Sequence, residues 1–402
     1  MPKRTMSVPL PHLANEKELS DFLLGALGKN LEQAIRSTVA ILVKTEMRQL
    51  RDELWKERQE ALVFNGSYPR HLVSPAGKIE NIPVPRFRSG NQGHELASMR
   101  VFDLERERFQ HLVAHLHLAG VSQRKVNRFC KNLFGKAVAP RMTKTVFEEL
   151  LEEEAFHVNK TSLIDAPFTF LYLDGLWETV KSQKTGETRK RATLVALGMD
   201  EQGKQKLLGF RLAFEEDESS WTRFLEELQK RGLDLSKCAL AVTDGGAGCL
   251  SALERMAPEL ATQSCLTHRY RNVLKYTPHK LKPSMGNDLK RLTQSSSKEE
   301  FMTHLSDMQK RWQTVTPQAV KSLLWNINTA MTYFSFPKEL WGKIRTTNPL
   351  ERAIREIRSR TRVHYDHYES PQSSDKYHQA IMGNLNQTYF HAIPSDVIHN
   401  GG

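Results

Sequence analysis

A run of apolar segments in the middle of the chain restricts the fold more than any other feature. Residues 168–174, 191–199 and 206–214 have the composition and length of β-strands, and residues 218–231 have helical periodicity. A fourth apolar segment, 238–243, follows that helix. A hairpin followed by a helical crossover suits a mixed sheet. We therefore expect a mixed α/β fold.

Two of the predicted strands end on an acidic residue. Asp174 ends the first strand, and Asp244 ends the fourth and is followed by Gly245-Gly246. If these strands are neighbours in the centre of the sheet, the two carboxylates lie close together. The paired glycines would let a phosphate approach the backbone. The alternative for Asp244 is an ordinary turn after a buried strand.

A third acidic residue, Glu351, stands at the start of a helix that is rich in arginine. Asn348 can cap this helix and Pro349 suits its first turn, so Glu351 falls in the first turn as well. Leu350, Ile354, Ile357 and Thr361 recur at helical spacing and predict a face that packs on the sheet. Glu351 shares a neighbouring face with three basic residues, namely Arg355, Arg358 and Arg362. The alternative is a simple surface pair of Glu351 with Arg355, whereas Glu356 points to another side of the helix.

Together the three carboxylates suit metal-dependent chemistry on phosphodiesters. Three carboxylates can hold two Mg²⁺ ions about 3.5–4 Å apart, and such ions activate a hydroxyl and stabilise a leaving oxygen. Oxygen ligands favour hard cations, so we expect Mg²⁺, with Mn²⁺ as a substitute. Asp174, Asp244 and Glu351 are thus the predicted catalytic residues and metal ligands.

The charge balance favours a polyanionic partner. The 402 residues include 58 Lys and Arg against 46 Asp and Glu, a formal net charge of +12. Such a surplus is typical of proteins that bind nucleic acid, although a solvated basic surface without a partner remains the alternative. The four cysteines form no CxxC pair, and the chain has neither an apolar signal core at its start nor a stretch of about 20 apolar residues. We expect a cytoplasmic protein with no membrane partner.

The N-terminal third has its own pattern. Residues 17–63 read as helical, and residues 64–94 are broken by glycine and proline into a small hairpin or an extended basic arm. Residues 105–156 predict three helices, the second with Val126, Phe129 and Leu133 inward and with Arg124, Lys125 and Arg128 outward. A basic second helix after a glycine turn is typical of a helix-turn-helix DNA reader, and any small helical bundle is the alternative.

Cys265 and His268 form half of a zinc ligand set, and no second pair follows at a suitable spacing. Arg269 and Arg271 begin a basic stretch that has no acidic residue up to position 282, which predicts phosphate contacts. The plainer interpretation is that Cys265 packs in the core and His268 makes a local hydrogen bond.

These segments predict six regions. They are an N-terminal helix and arm (1–95), a helix-turn-helix-like domain (96–165), the first part of a sheet core (166–266), a helical insertion (267–340), the last part of the core with the Glu351 helix (341–365) and a C-terminal tail (366–402). The insertion accounts for the long distance in sequence between Asp244 and Glu351.

Four motifs resemble the mutator-type transposases of bacterial insertion sequences. They are Leu173-Asp174-Gly175-Leu176-Trp177, Thr243-Asp244-Gly245-Gly246, Cys265-Leu-Thr-His268-Arg269-Tyr-Arg271-Asn272, and Asn348-Pro349-Leu350-Glu351-Arg352 with the arginines after it. The resemblance implies a ribonuclease H-like catalytic core interrupted by an all-helical insertion, with a helical N-terminal DNA-binding region. It also implies a DDE triad of Asp174, Asp244 and Glu351, with Cys265 and His268 as an accessory motif near the active site. Two departures from the family pattern, Ala353-Ile354 and the sequence beyond Val363, affect the C-terminal helix and contacts with the DNA ends.

The expected function is that of a nucleoid-associated DNA transposase that binds the terminal inverted repeats of an insertion sequence, cleaves strands and joins them to target DNA as a homodimer or higher oligomer. The expected partners are double-stranded transposon ends and target DNA. Arg124, Lys125, Arg128, Arg269, Arg271, Arg352, Arg355, Arg358 and Arg362 are the predicted DNA contacts. The alternatives are a catalytically inactive DNA-binding protein derived from a transposase, and a nuclease of the same fold without strand transfer.

Overall fold

The computed structural model describes residues 16–58, 61, 63–74, 77–88, 96–134, 157–164, 168–181, 188–362 and 371–390. The chain divides into two compact units. One comprises Met1–His115 and Arg124–Thr143, and the other comprises Leu116–Gln123 and Lys144–Gly402. Each is described separately below, and the finer division into six regions stays a prediction.

The first unit joins a long helix to a β-hairpin. Helix α1 (Glu16–Arg58) precedes strands β1 (Val63–Ser74) and β2 (Gly77–Arg88), which pair antiparallel. The buried side chains come from both elements and from the segment that follows, and they are Val39, Val43, Met47, Leu72, Ile79, Ile82, Val84, Leu96, Met99 and Phe102. The predicted helix and hairpin are thus present, because the hairpin buries one face on the helix.

Two helices follow the hairpin, α2 (Arg100–Leu118) and α3 (Gln123–Phe134). The third helix of the predicted trihelical segment lies outside the described residues. On α3 the basic side chains are exposed as expected, but the inward face is different: Val126 and Cys130 are buried, while Phe129 is 44% exposed. The prediction for Phe129 was wrong because the i, i+4 pair of Val126 and Cys130 defines the buried stripe.

Two arginines of the hairpin make contacts within the first unit. Arg70 pairs with Asp103 at 3.2 Å and lies over the ring of Phe102. Arg86 lies over the ring of Tyr68. These contacts account for part of the positive charge of the hairpin without DNA, so a DNA-binding role for the arm stays a prediction.

The second unit is built on a five-stranded mixed sheet. Its strands are β3 (Phe170–Lys181), β4 (Thr188–Met199), β5 (Gln205–Ala213), β6 (Leu240–Thr243) and β7 (Thr262–Ser264), in the spatial order β5-β4-β3-β6-β7. The β3–β4 and β4–β5 pairs are antiparallel, and the β3–β6 and β6–β7 pairs are parallel. This is the mixed sheet that the sequence predicted.

Strand β3 is longer than expected. It continues for seven residues beyond Asp174, to Lys181, so Asp174 lies inside the strand and faces Val195 of β4. Asp174 ends the apolar run that predicted the strand, but antiparallel pairing with β4 continues the strand to Lys181.

One face of the sheet is covered by two helices, α4 (Glu218–Lys230) and α5 (Ala247–Met256). Leu171, Leu173 and Leu194 of the sheet belong to the same buried cluster as Trp221, Phe224 and Leu253 of the helices. Asp217 caps α4 by accepting a hydrogen bond from Ser220 N at 2.9 Å. Gly232, with φ of 103°, then turns the chain in a conformation that favours glycine.

Between β7 and the Glu351 helix, all regular elements of the described chain are helical. They are α6 (Leu266–Lys275), α7 (Lys282–Gln294), α8 (Lys298–Trp312), α9 (Pro317–Leu324) and α10 (Lys338–Ile344), with 3-10 turns at His279–Leu281, Ile327–Ala330 and Thr332–Ser335. Helices α6 to α9 enclose a separate hydrophobic cluster that includes Leu289, Phe301, Leu305 and Trp312. A cluster of its own is what an inserted helical domain requires.

Two helices complete the second unit, α11 (Asn348–Thr361) and α12 (Pro371–Thr388). The predicted packing face of α11 is present, since Leu350, Ile354, Ile357 and Thr361 are all buried. The predicted C-terminal tail is different, because α12 is a helix whose Ile381, Met382 and Leu385 are fully buried. Asn386 of α12 also exchanges hydrogen bonds of 2.9 Å with the backbone of Leu207 in β5.

A buried polar network ties α12 to β3 and α11. Glu178 of β3 accepts a hydrogen bond from Thr361 Oγ1 at 2.9 Å and lies 3.1 Å from His378 Nε2. His378 Nδ1 lies 2.8 Å from Ser374 O, so both ring nitrogens have acceptors. Burial lowers the pKa of His378, but the hydrogen bond and the charge of Glu178 outweigh it, and the net pKa is raised.

Replacing Glu178 by Ala should lower the free energy of unfolding by about 3–5 kcal/mol, because a buried imidazolium loses its partner. Chemical denaturation followed by circular dichroism measures this, with the exposed Glu254→Ala on α5 as the control. Since the pKa of His378 is raised in the fold, the pair stabilises most at a pH below the ordinary histidine value and loses this contribution as the pH rises through the raised pKa. Equal stability of the Glu178 and Glu254 variants would contradict the role of the network.

Candidate active site

The parallel pairing of β3 with β6 brings two acidic residues together. Leu173 is in register with Thr243, so Asp174 and Asp244 follow at adjacent positions on neighbouring strands. The register of this parallel pair, and not the end of β3, explains how residues so distant in sequence become neighbours.

Asp174 is a buried carboxyl group. Its side chain is 6% exposed, and its Oδ1 accepts a hydrogen bond from Gly175 N at 2.8 Å. Burial raises its pKa to about 7, and the charge of Asp244 acts in the same direction. A buried carboxylate next to a second one is a pair that a cation would stabilise.

Asp244 stands in a tight turn between β6 and α5. Gly245 has φ of 87°, and its N–H donates to Thr243 Oγ1 at 3.0 Å. Gly246 N donates to Asp244 Oδ1 at 2.8 Å. The left-handed backbone at Gly245 explains the glycine, and the turn fixes the Asp244 carboxylate at the sheet edge.

Glu351 lies in the first turn of α11, as the sequence predicted. The N-cap is Thr347, one residue before the expected Asn348, and its side chain makes no capping bond. The carboxylate of Glu351 accepts two hydrogen bonds from Arg271, at 3.2 and 3.3 Å, and lies 3.6 Å from His268 Nε2. Arg271 is therefore the ion-pair partner of Glu351.

Cys265, His268 and Thr347 form a hydrogen-bonded group beside Glu351. Thr347 donates to Cys265 Sγ from its N at 3.2 Å and from its Oγ1 at 3.3 Å. Burial raises the pKa of Cys265, but hydrogen bonds from His268 and Thr347 more than offset it and lower the pKa. The hydrogen bond with Cys265 raises the pKa of His268 to about 9, against burial and with help from Asp174 and Glu351. The group places a positive imidazolium between the acidic residues.

The three predicted acids share one electrostatic environment, because both Asp244 and Glu351 raise the pKa of Asp174. Their ligand atoms are not gathered into one tight set. Within the described part of the chain, the set of three donor atoms within 4.8 Å of one another is that of Cys265, His268 and Glu351. Asp174 and Asp244 offer the oxygen donors that suit hard divalent cations, and Glu351 is held near them by His268 and Arg271.

A fourth acidic residue near this site, Glu216, was not predicted from the sequence. A Cβ atom added at Gly175 would lie 1.6 Å from Glu216 Oε1, so the carboxylate occupies the space that this glycine leaves. Burial raises the pKa of Glu216 to about 7, the charge of Asp244 adds to this, and a hydrogen bond with Trp177 opposes it. Glu216 follows Glu215 and precedes Asp217, and the sequence gives no sign of which of the three points toward the sheet.

Arg269 is placed differently from the expectation. It is 7% exposed, and its guanidinium donates to the carbonyls of Leu323 and Trp325 and to Ser264 Oγ. Protein acceptors occupy the Nη donors of Arg269, so the structure gives no support to a phosphate contact there, and its role in DNA binding stays a prediction. The two arginines differ because they lie on different sides of α6. Arg269 faces the helices between β7 and α11, and Arg271 faces the acidic residues.

The other predicted DNA contacts lie near the surface of their helices. Arg352, Arg355 and Arg362 of α11 are exposed, and Arg358 is half-buried. Arg360 on the same helix pairs with Glu356, which accordingly lies away from Glu351. Exposure of these side chains does not by itself indicate DNA binding, so these contacts stay predictions.

The sequence matches the family model of the Mutator family of transposases over residues 13–392. The match spans nearly the whole chain, including all four motifs around the acidic residues. The chain therefore belongs to the Mutator family of transposases.

Curated relatives are transposases of insertion sequences. The chain is 29% identical over 335 residues to the transposase for insertion sequence element ISRM5 of Rhizobium meliloti, covering 83% of this chain and 82% of the relative. It is 28% identical over 356 residues to the transposase for insertion sequence element IS1081 of Mycobacterium tuberculosis, covering 88% and 84%.

Among solved structures, the chain is similar to a chain of the Drosophila P element transposase strand transfer complex, with 10% identity and a TM-score of 0.29 over 70% of this chain and 79% of that one. A similarity of this size carries no argument about the fold. None of the described helices has the length and apolar character needed to cross a membrane.

In metal-free buffer, the free energy of unfolding should fall as the pH rises, because the buried Asp174 loses its proton. Its pKa is raised from 3.8 to about 7, so the folded chain binds the proton more tightly and stability falls across this interval. Asp174→Asn should remove that fall and raise the melting temperature near pH 7, by about 2–4 °C for each kcal/mol gained.

Differential scanning calorimetry from pH 4 to pH 7 measures the effect. The exposed Asp307→Asn serves as the control. Millimolar Mg²⁺ should stabilise the wild type more than Asp174→Asn, since a ligand stabilises the state that binds it. Parallel pH curves for wild type and Asp174→Asn would show that the buried carboxyl does not titrate in this range.

Proposed function

We propose that this chain is an insertion-sequence transposase that cleaves the ends of its element and joins them to target DNA. The observation that carries the proposal is that Asp174 on β3, Asp244 directly after β6 and Glu351 on α11 share one electrostatic environment in a chain of the Mutator family. The basic net charge of +12 supports DNA as the partner.

The catalytic core in this proposal is ribonuclease H-like and is interrupted by the helical segment between β7 and α11. The strand order β5-β4-β3-β6-β7, with the acids at the junction of the antiparallel and parallel halves, supports this. The separate hydrophobic cluster of α6 to α9 supports the insertion.

Asp174, Asp244 and Glu351 would hold divalent cations, Mg²⁺ with Mn²⁺ as a substitute. Burial and the charge of Asp244 raise the pKa of Asp174, and this supports a buried acidic site that a cation would stabilise. Bound there, the cations would activate the attacking hydroxyl and stabilise the leaving oxygen. Arg271 now neutralises Glu351, so it would turn to DNA phosphate when Glu351 engages a cation.

Cys265 and His268 are accessory groups in this scheme. The ligand atoms of His268, Glu351 and Cys265 lie within 4.8 Å of one another, and the charge of Asp174 contributes to the raised pKa of His268. An imidazolium at this place orients Glu351 and limits the repulsion between the acids in the absence of a cation.

DNA would be held by two groups of basic residues. Arg124, Lys125 and Arg128 of α3 would bind the terminal inverted repeats, while Arg352, Arg355, Arg358 and Arg362 of α11 would bind phosphates near the cleavage site. A homodimer or higher oligomer would be required to hold two ends together, and association with the nucleoid would follow from DNA affinity.

Asp174→Asn, Asp244→Asn and Glu351→Gln should each lower the rate of end cleavage by about 100-fold or more, the scale set by loss of a group that stabilises transition-state charge. The measurement uses purified protein, a labelled duplex of the element's terminal sequence, and Mg²⁺ or Mn²⁺. Glu356→Gln, on the same helix but paired with Arg360, is the matched control and should keep activity.

The products separate the alternatives. Joined products establish strand transfer, whereas nicked DNA without joined products would favour a nuclease. No cleavage by the wild type, together with retained end binding, would favour an inactive DNA-binding protein. Full activity of any of the three acidic variants would remove that residue from the triad.

Arg124→Ala combined with Lys125→Ala should weaken binding to the terminal duplex and flatten its salt dependence. Each phosphate contact contributes about 0.9 to the slope of log K against log salt, so the slope should fall by about two. Fluorescence anisotropy across a salt series measures this, and replacement of the exposed Lys298 and Lys310 on α8 provides a control of equal charge change. An unchanged slope would show that another segment recognises the ends.

A further inference from the structure

A cavity of about 300 Å³ opens beside Asp244 and Gly245. Its other walls come from α6 and α9 and include Tyr276, Lys321 and Trp325. The volume is at the lower end of the range that small ligands occupy in proteins, about 300–1,000 Å³. The cavity thus adjoins the proposed cleavage site but is formed mainly by the helical segment.

Two aromatic side chains of this cavity are exposed. Trp325 is 48% exposed and Tyr276 is 52% exposed, although the neighbouring apolar residues Leu323 and Val273 are buried. Each ring follows the end of a helix, α9 for Trp325 and α6 for Tyr276. Large aromatic faces that are left open beside a site supply stacking surface for a flat ligand.

The backbone at Trp325 is held in an unusual conformation. Asn326 has φ of 44° and ψ of 44°, the left-handed region, which costs energy for a residue other than glycine. Arg269 fixes this turn, since its guanidinium donates to the carbonyls of Leu323, Trp325 and Asn326. A buried arginine thus holds Trp325 at the mouth of the cavity.

Arg269 lines the cavity, but its unpaired Nε–H is enclosed by protein and does not open into it. The amide side chains of Asn272 and Gln318 line the same cavity and can pair with the edge of a heterocycle.

We propose that this cavity accepts one nucleobase that leaves the stack of the bound DNA end next to the cleavage position. Trp325 and Tyr276 would stack on the base, the amides of Asn272 and Gln318 would meet its polar edge, and the exposed Lys321 would contact the adjoining phosphate. This inference rests on the proposed function, because it places DNA at Asp244. Extrusion of a base gives the backbone the freedom to bring the scissile phosphate to the carboxylates.

The test places 2-aminopurine at single positions around the cleavage site of the terminal duplex, bound to the full chain in EDTA so that no cleavage occurs. One position should show a fluorescence change with wild type that is lost with Trp325→Ala and kept with Trp325→Phe. The exposed Phe214→Ala, which lies outside the cavity, is the matched control.

Trp325→Ala should also slow end cleavage by about 5- to 150-fold, the range expected for one base–aromatic stack. An abasic nucleotide at the responsive position should restore much of that rate, since no base then has to be extruded. Thermal melting of the variants checks that each is folded.

The two proposals fail in different ways. Cleavage by Trp325→Ala at the wild-type rate, with no responsive position, would overturn the base site and leave the transposase proposal intact. A responsive position that depends on Trp325, together with no cleavage by the wild type in Mg²⁺ or Mn²⁺, would keep the base site and overturn the catalytic proposal. A response that is also lost with Phe214→Ala would show a general effect on DNA binding and would overturn the base site.

Discussion

The parallel hydrogen bonding between β3 and β6 is the constraint on which the rest of the second unit depends. Its register sets Leu173 beside Thr243 and therefore Asp174 beside Asp244. Two carboxyl groups placed side by side by a backbone ladder cannot separate to relieve their repulsion. Two basic groups lie beside this charge. The hydrogen bond with Cys265, with help from the charges of Asp174 and Glu351, raises the pKa of His268, and Arg271 holds Glu351 by an ion pair. The position of the acidic site is thus set by the register of these two strands rather than by any single side chain.

The helical segment between β7 and α11 contributes to the site as well as separating its parts in sequence. Its first helix, α6, carries His268 and Arg271 toward Glu351, and it carries Arg269 toward its own neighbours. One short helix therefore connects the acids with the cluster of α6 to α9. A change in the packing of those helices would move His268 and Arg271 and would therefore alter the surroundings of Glu351, because α6 makes both sets of contacts.

Much of this arrangement could be predicted from the sequence, since strand order, the buried face of α11 and the position of Glu351 depend on local periodicity and capping. The residues that were missed depend on tertiary contacts. The extension of β3 past Asp174 is sustained by β4, and Glu216 is distinguished from Glu215 and Asp217 only by the space above Gly175. The burial of Arg269 was not predicted, because basic composition does not tell which side of a helix is enclosed. The metal identity, the DNA contacts and the division into domains stay predictions.

The polar network at Glu178 affects how early the second unit can fold during synthesis. Glu178 belongs to the first strand of the sheet, yet its buried partner His378 belongs to the last described helix. During synthesis the strand emerges some 200 positions before the histidine does. Until His378 has been synthesised, the Glu178 carboxylate would lack its counter-charge, and this disfavours its burial in the folded sheet. Helix α11 also reaches Glu178 through Thr361, so the segment that carries Glu351 gains its full support only when the chain is almost complete. A growing chain would therefore bring Glu351 to Asp174 and Asp244 only late in synthesis.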